Sequence, residues 1–209
     1  MEFETLNSAV EAVRRGQAVL NTRQTTYLRT YPALLGLARN QESSPEDRFL
    51  QLVTATYGWM PRIVRINQVH LSSAIQALEE ARLAQGTDFD ESLVKKISKC
   101  LYSVVGASKV LHFTNPQVFP IWDSKVEGVW TGRKTLYPYM SKPESYLMYA
   151  KEVHELCEQK EFPDFFSKFN TAYQLRLNAC GISCYEISHI RAIEAAAFEL
   201  SGGYYEDAE

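Results

Sequence analysis

The chain has 209 residues, of which 45% are hydrophobic and 22% charged, a composition typical of globular proteins and unlike that of disordered ones. No apolar stretch approaches the roughly 20 residues that cross a bilayer, and the start Met1-Glu2-Phe3-Glu4 is acidic where a secretory signal is basic. We therefore expect a cytoplasmic protein with no membrane partner. The net charge of −3 argues against nucleic acid as a partner, because domains that bind it usually carry a basic surface.

The charge is distributed unevenly along the chain. Residues 1–94 carry 9 basic and 11 acidic side chains, and residues 135–209 carry 6 basic and 12 acidic ones. Between them, residues 95–134 carry seven basic and two acidic side chains, a net charge of +5. This segment indicates either an ordinary solvated helix face or one basic face on an otherwise acidic body.

Apolar residues recur at helical spacing along nearly the whole chain, and no strand pair or internal repeat is evident. The predicted helices cover about 6–20 (including Val19 and Leu20), 28–37 with an interruption at Pro32, 45–57, 63–83, 93–105, 107–113, 126–130, 144–159, 162–178 and 185–200. We expect an all-α fold of about ten helices, a single compact unit over residues 1–209. Its two packed lobes are expected to comprise approximately residues 45–122 and residues 1–44 plus 123–209.

Four short motifs predict where helices begin or end. Ser44-Pro45-Glu46-Asp47 has an N-cap residue, a proline at the first helical position and two acids in the first turn. Gly58-Trp59-Met60-Pro61 reads as a turn, either Asp88 or Asp90 can cap the helix that follows, and Ser141-Lys142-Pro143-Glu144 fits a capping box.

The four cysteines are too few and too scattered for a disulfide framework. Cys180, Cys184 and His189 suggest a zinc site, but a structural site needs four ligands and no fourth is evident. The alternative is buried thiols on one helix face, since positions 180 and 184 are four residues apart. We expect no metal site.

The segment from Val104 to Asp123 carries the strongest candidate chemistry. Gly106 is predicted to separate two helices, and the free amides after it, at Ala107 and Ser108, would suit an anion. Lys109 then falls in a first helical turn, where the dipole disfavours a cation, which suggests a bound anion or another purpose for this lysine. Asp123 follows four largely apolar residues, so its carboxylate lies near the core and needs a partner or a function.

These residues resemble the catalytic region of the helix-hairpin-helix DNA glycosylases, with the helix-hairpin-helix element near residues 93–113. In the resemblance Gly106 corresponds to a hairpin glycine, Lys109 to the lysine of the bifunctional members, and Pro120-Ile121-Trp122-Asp123 to the segment that ends in the aspartate. Ser108 replaces the second hairpin glycine, and the interval from Lys109 to Asp123 is shorter than usual. The chain is similar to a small, divergent bacterial or phage-defence member of that superfamily.

The resemblance implies an enzyme that flips a damaged or modified base out of double-stranded DNA and cleaves its N-glycosidic bond without a cofactor. Asp123 would assist bond cleavage at C1′, and Lys109 would add Schiff-base lyase chemistry. Gly106, Ala107, Ser108 and Lys125 would contact DNA. The implied role is base-excision repair or defence against phage DNA with hypermodified cytosines, and we expect the protein to act as a monomer.

Aromatic residues beside the motif extend the predicted site. Trp59 lies in a predicted turn ahead of Arg62 and Arg65, as a base-stacking or duplex-wedging side chain requires, although most aromatic residues pack in cores. His112 shares a helix face with Lys109, and Trp122 precedes Asp123, so both are candidates for a base pocket. A hydrogen-bonded core histidine is the alternative for His112.

The rival hypothesis is a helical DNA-binding or interaction module without catalysis. Lys109 is then an exposed or phosphate-contacting lysine, and Asp123 is the N-cap of a helix that begins at Ser124-Lys125-Val126. A small-molecule enzyme is a third possibility, but the sequence has no phosphate loop, catalytic triad or metal signature.

Overall fold

The computed structural model describes residues 1–15, 22–60, 62–86 and 90–202, apart from the side chains of residues 23 and 24. Over these ranges the chain forms eleven helices and no strand, which confirms the all-α prediction. The helices are α1 Phe3–Arg15, α2 Thr22–Arg39, α3 Pro45–Trp59, α4 Gln68–Leu83, α5 Glu91–Leu101, α6 Val104–Thr114, α7 Ser124–Thr131, α8 Tyr137–Met140, α9 Pro143–Cys157, α10 Phe162–Ala179 and α11 His189–Leu200. The features predicted at Val19, Leu20, Pro61 and Asp88 lie outside the described residues.

Two of the predicted caps are confirmed and one is wrong. Ser44 Oγ accepts a hydrogen bond from the Asp47 N–H at the start of α3, and Asp90 Oδ1 accepts one from the Ser92 N–H at the start of α5. The predicted capping box fails, because Ser141 Oγ donates back to the Tyr137 carbonyl and so closes α8. Helix α9 therefore begins at Pro143 with no side-chain cap.

Two helices begin later than predicted, and α2 continues through Pro32 without the predicted interruption. Residues 62–67 are not helical: Asn67 caps α4, and its N–H donates to the Cys100 carbonyl, which ties this segment to the end of α5. Residues 182–188 are also non-helical, and α11 begins only after its cap, Ser188. In both cases a stretch predicted to be helical from its apolar periodicity is non-helical and lies beside a cavity.

The prediction that Cys180 and Cys184 are buried thiols on one helix face is wrong. Helix α10 ends at Ala179, so Cys180 is its C-cap and Cys184 lies exposed in the stretch that follows, not on a buried helix face. Among the described residues, no group of three or more His, Cys, Asp or Glu side chains is arranged to hold a metal ion.

The break between α5 and α6 falls at Tyr102-Ser103, three to four residues before the predicted break at Gly106. Tyr102 adopts the left-handed conformation with φ of 51°, and the Ser103 hydroxyl accepts from the Gly106 N–H as the N-cap of α6. Gly106 is therefore a buried residue of the first turn of α6. A Cβ atom at this position would overlap the Tyr57 phenol, so a glycine is required for close packing of α3 against α6.

Helix α6 is the central element of the core. Its residues are nearly all buried, and it packs against α2, α3, α4, α5 and α9. Helix α1 packs on α10 and α11, and α11 in turn packs on α7 and α9. This arrangement brings α6, the start of α7 and α11 to one region. No described helix has both the length and the apolar character needed to traverse a membrane.

Candidate active site

A cavity of about 480 Å³ lies where these helices meet, and we call it the central cavity. Its lining combines aromatic, apolar, basic and acidic side chains from α2, α3, α5, α6, α7, α8 and α11 and from the connecting segments: Tyr27, Tyr57, Trp59, Met60, Arg62, Ile63, Arg65, Leu101, Tyr102, Ser103, Val105, Lys109, Ile121, Asp123, Ser124, Lys125, Tyr137, Met140, Arg191, Glu194 and Phe198. The volume falls within the range of small-molecule sites, about 300–1,000 Å³.

Lys109 and Asp123 form an ion pair in this cavity. Lys109 Nζ lies 3.4 Å from Asp123 Oδ2, and the two side chains are only 11% and 20% exposed. The other carboxylate oxygen of Asp123 accepts from the Lys125 and Val126 N–H groups, so the same residue also caps α7. The rival interpretation of Asp123 as an N-cap is thus confirmed, and it coexists with the contact to Lys109.

The segment that carries Asp123 is buried and irregular, and side chains bond its carbonyl groups. Its five consecutive carbonyls, at residues 118 to 122, each accept a hydrogen bond from a different side chain: His154 to Val118, His112 to Phe119, Tyr146 to Pro120, Tyr149 to Ile121 and Ser108 to Trp122. Buried backbone outside helices and sheets needs such partners. These bonds fix the path of the chain up to Asp123, so the carboxylate is delivered at a defined position.

His112 and Trp122, the predicted base-pocket candidates, do not line the central cavity. His112 is fully buried, with Nδ1 donating to the Phe119 carbonyl at 2.7 Å and Nε2 accepting from the Tyr31 hydroxyl at 2.8 Å. Burial lowers the pKa of the His112 imidazole to about 3, so the ring is neutral. Trp122 is also fully buried, and its Nε1 donates to the Met140 carbonyl. Both side chains support the segment that ends in Asp123.

The amides of Gly106 and Ala107 already have partners and Ser108 is buried beside them, which corrects the phosphate contact expected there. All three residues are buried in the first turns of α6. The Gly106 N–H donates to the Ser103 hydroxyl and the Ala107 N–H to the Ser103 carbonyl. The Ser108 hydroxyl is bonded to both the N–H and the carbonyl of Trp122.

Trp59 lies in the cavity and contacts Lys109. The Lys109 ammonium is 5.3 Å from the centre of the Trp59 ring, and the ring also makes edge-to-face contacts with Tyr27 and Phe113. A cation over an indole face is attractive and keeps the ammonium close to the ring. Trp59 therefore lies inside the cavity and does not protrude from the surface as a wedge would.

Exposed side chains at the cavity's edge come instead from the non-helical segment 62–67 and from two tyrosines. Ile63 is 90% exposed between the exposed Arg62 and Arg65. Tyr102 and Tyr137, at 64% and 70% exposure, lie at the same edge. The edge thus combines cationic and apolar groups that reach solvent.

The basic segment 95–134 gives less positive surface than its net charge indicates. At least four of its seven basic side chains lie within 4.0 Å of a carboxylate: Lys95 of Glu91 and Glu144, Lys96 of Glu80, Lys109 of Asp123 and Arg133 of Glu127. Exposed cationic groups beside the cavity come mainly from Arg62 and Arg65, which precede the segment. The net charge of the segment does not show that these basic side chains form ion pairs with carboxylates brought close by the fold.

Arg191 and Glu194 form a second ion pair in the cavity, which the sequence did not predict. They lie one turn apart on α11, are 4% and 2% exposed, and the Arg191 guanidinium donates to Glu194 Oε2 while lying 4.7 Å from the centre of the Tyr31 ring. Loss of solvation and the charge of Asp123 raise the pKa of Glu194 to about 7, against the opposing effect of Arg191. Two charged residues among the apolar Ile190, Ile193 and Ala197 were the available signal in the sequence.

Comparisons with family models, with curated proteins and with solved structures give no match to this chain.

Proposed function

We propose that the protein is a DNA glycosylase that binds an extruded base in the central cavity and cleaves its N-glycosidic bond. The observation that carries the proposal is the contact of the Lys109 ammonium with the Asp123 carboxylate in a cavity large enough for a nucleobase. A primary amine next to a carboxylate is the pair of groups that Schiff-base chemistry at a sugar carbon requires. The sequence resemblance to the helix-hairpin-helix glycosylases supports the same assignment.

The volume and lining of the cavity suit a flat, unstacked base. Tyr27, Tyr57 and Trp59 provide aromatic surface, on which bases stack in a sequence-tolerant way. A base inside a duplex is out of reach of a buried carboxylate, so the nucleotide has to be extruded at a cost of a few kcal/mol. Damaged or mismatched bases are extruded most easily, which favours them as substrates.

The edge of the cavity suits the DNA backbone. Arg62, Arg65 and Lys125 lie around the opening and would contact phosphates, which position a protein on DNA without reading its sequence. Apolar Ile63 at the same edge would occupy space vacated by the extruded nucleotide. These contacts replace those first expected at the start of α6.

Asp123 and Lys109 have different functions in the proposed reaction. Asp123 stabilises the positive charge that develops on the deoxyribose as the bond from C1′ to the base lengthens. Lys109, after losing one proton, forms a bond from Nζ to C1′ while the bond from C1′ to the base breaks, and the base leaves with that electron pair and is then protonated. Opening of the sugar ring converts the adduct into a Schiff base, from which strand cleavage follows.

The alternative is a helical DNA-binding or interaction module without catalysis. One observation favours it: Asp123 already has a structural task, since its Oδ1 caps α7. In that case the pair of Lys109 and Asp123 only joins α6 to α7, and removing either charge would alter stability without affecting DNA chemistry.

A screen for base release tests the proposal. Wild-type protein is incubated with duplexes that each carry one lesion or modification, hypermodified cytosines included, and the free base is measured. Release from at least one duplex supports the glycosylase, and the identity of that base decides between repair and phage defence. DNA binding with a steep salt dependence and no release from any duplex supports the alternative.

A further inference from the structure

The central cavity carries an excess of positive charge, and that excess lies at its opening. Five cationic and two acidic side chains line the cavity, a formal net charge of +3. The two carboxylates, Asp123 and Glu194, lie inside and each contacts a cation there. Arg62 and Arg65 are exposed at the opening. A group with several negative charges is therefore the counterpart that this opening attracts.

Exposed cations on other helices lie beside carboxylates of their own helix. Arg14 of α1, Lys151 of α9 and Lys168 of α10 each have a carboxylate oxygen within 4.0 Å. Their charges are thus balanced locally, unlike the excess at the cavity. An acidic group therefore finds more uncompensated positive charge at the cavity opening than at these surfaces.

Helix α11 brings the chain to this opening. Arg191, Glu194 and Phe198 lie on one face of α11, at helical spacing, and all three line the cavity. The Lys125 ammonium is 5.7 Å from the centre of the Phe198 ring. Gly202 follows Phe198 by four residues, so it lies on the same side, and its φ of 87° turns the chain out of the helix. The residues after Gly202 therefore start beside the cavity.

The sequence after Gly202 has the charge that the opening lacks. Residues 203–209, which we call the acidic segment, read Gly-Tyr-Tyr-Glu-Asp-Ala-Glu and carry three acids and no base, a formal charge of −3. Its two tyrosines match the apolar part of the edge, where Ile63 and Tyr137 are 90% and 70% exposed. An extended chain of seven residues spans at most about 25 Å, which exceeds the width of a cavity of about 480 Å³.

We propose that the acidic segment binds across the opening of the central cavity, with its carboxylates on Arg62, Arg65 and Lys125 and its tyrosines on the apolar edge. It there occupies the place that the proposed function gives to DNA phosphates, so it is an internal competitor of polyanions. Exposed ion pairs are weak and screened by salt, so a more highly charged ligand displaces the segment. The competition with DNA rests on the proposed function, whereas the binding of the segment does not.

Zero-length cross-linking without DNA tests where the segment binds. A carbodiimide joins a carboxylate to a lysine amine when the two are in contact, and peptide mass spectrometry identifies the pair. The wild-type chain should give cross-links from the acids of the segment to Lys125. Lys125→Arg keeps the charge but removes the reactive amine, so it should lose these cross-links.

Two other cross-linking results overturn the proposal. The first is that the acids of the segment give no cross-link to Lys125, whether they react with Lys151, Lys160 and Lys168 instead or with no lysine. The second is found by mixing isotope-labelled and unlabelled chains: cross-links to Lys125 that join only different chains place the segment on a second copy.

A pair of charge variants tests the competition. Neutralising the segment in the full chain should raise the affinity for a short fluorescein-labelled DNA duplex by about threefold to thirtyfold at low salt. A control variant removes three exposed acids near the end of α9 and the start of α10, away from the cavity, and should change the affinity by less than about twofold. The variants are Glu206→Gln with Asp207→Asn and Glu209→Gln, and Glu155→Gln with Glu158→Gln and Glu161→Gln.

Both variants change the net charge by the same amount, so an equal gain in affinity would show a general charge effect and overturn the competition. If the wild-type chain and both variants fail to bind the duplex, the proposed function fails, and cross-linking alone decides whether the segment binds at the opening. Base release by a chain whose segment gives no cross-link to Lys125 has the opposite meaning: the glycosylase assignment stands and the segment has no role at the opening.

Discussion

Lys109 Nζ and Asp123 Oδ2 lie 3.4 Å apart although 14 residues separate them in the sequence. The distance is set by two independent constraints: Lys109 is fixed on the central helix α6, and Asp123 is fixed by the cap of α7 and by the five side chains that bond carbonyls 118 to 122. Such support from surrounding residues holds a site in its working geometry. The surrounding structure therefore holds the two side chains in contact.

Replacing Gly106 by alanine tests whether this glycine serves packing. A Cβ atom there would overlap the Tyr57 hydroxyl, so Gly106→Ala should lower the free energy of unfolding by about 1–3 kcal/mol. The nearest atom is that hydroxyl oxygen, so adding Tyr57→Phe should recover part of the loss. Urea unfolding of both single variants and the double variant measures this coupling. Strictly additive effects would mean that the two residues do not compete for space.

His112 and Glu194 should give stability effects with opposite pH dependence. The pKa of His112 falls from 6.5 to about 3 on folding, so its contribution is present above pH 6.5 and is lost as the pH falls toward 3. The pKa of Glu194 rises from 4.5 to about 7, so its contribution is present below pH 4.5 and is lost as the pH rises through 7.

Unfolding of two variants at several pH values checks these signs. The stability difference between wild type and His112→Gln should grow between pH 3 and 6.5, and that between wild type and Glu194→Gln should shrink between pH 4.5 and 7. Each slope is at most about 1.4 kcal/mol per pH unit for one proton. Two slopes of the same sign would show that one of the two groups is not buried as described.

Arg62→Ala should weaken DNA binding in a salt-dependent manner. If Arg62 contacts one phosphate, its removal lowers the slope of log K against log salt concentration by about one and affects different DNA sequences equally. Lys168→Ala, which removes a cation from the outer face of α10, is the matched control and should leave the slope unchanged. An unaltered slope in Arg62→Ala would place the DNA elsewhere.

Lys109→Ala should abolish a covalent adduct with abasic DNA. The aldehyde of an abasic site forms a Schiff base with a suitable amine, and borohydride reduces it to a stable link that gel electrophoresis detects. Lys125→Ala keeps Lys109 and removes the neighbouring cavity lysine, so it should retain the adduct. An adduct that persists in Lys109→Ala and disappears in Lys125→Ala would transfer the nucleophile to Lys125.

Much of the fold follows from the sequence because most helices have one apolar face and a cap of their own. The predicted caps at Ser44 and Asp90 depend on neighbouring residues only, and both are confirmed. The break near Gly106 was misplaced because a glycine ends a helix and also permits close packing, and only the position of Tyr57 distinguishes the two cases. The non-helical stretches 62–67 and 182–188 depend on tertiary contacts in the same way.

In the site, too, some residues follow from the local sequence, whereas others are placed by long-range packing. Lys109 and Asp123 were predicted from a local motif, and the structure brings them together in one cavity with Trp59, Arg62 and Lys125. The sequence predicts His112 in the pocket because it shares a helix face with Lys109, but the ring is held in the core by the Tyr31 hydroxyl, 81 residues away, and by the nearby Phe119 carbonyl. Arg191 and Glu194 were missed because their helix reaches the cavity only through long-range packing.

Base release by Asp123→Asn under single-turnover conditions tests the central claim most directly. Asparagine keeps the cap of α7, because its amide oxygen still accepts from the Lys125 and Val126 N–H groups, and it removes only the charge. We predict a rate at least about 100-fold below that of wild type on the same duplex, with DNA affinity changed by less than about threefold. A rate equal to that of wild type would contradict the assignment of Asp123 to bond cleavage.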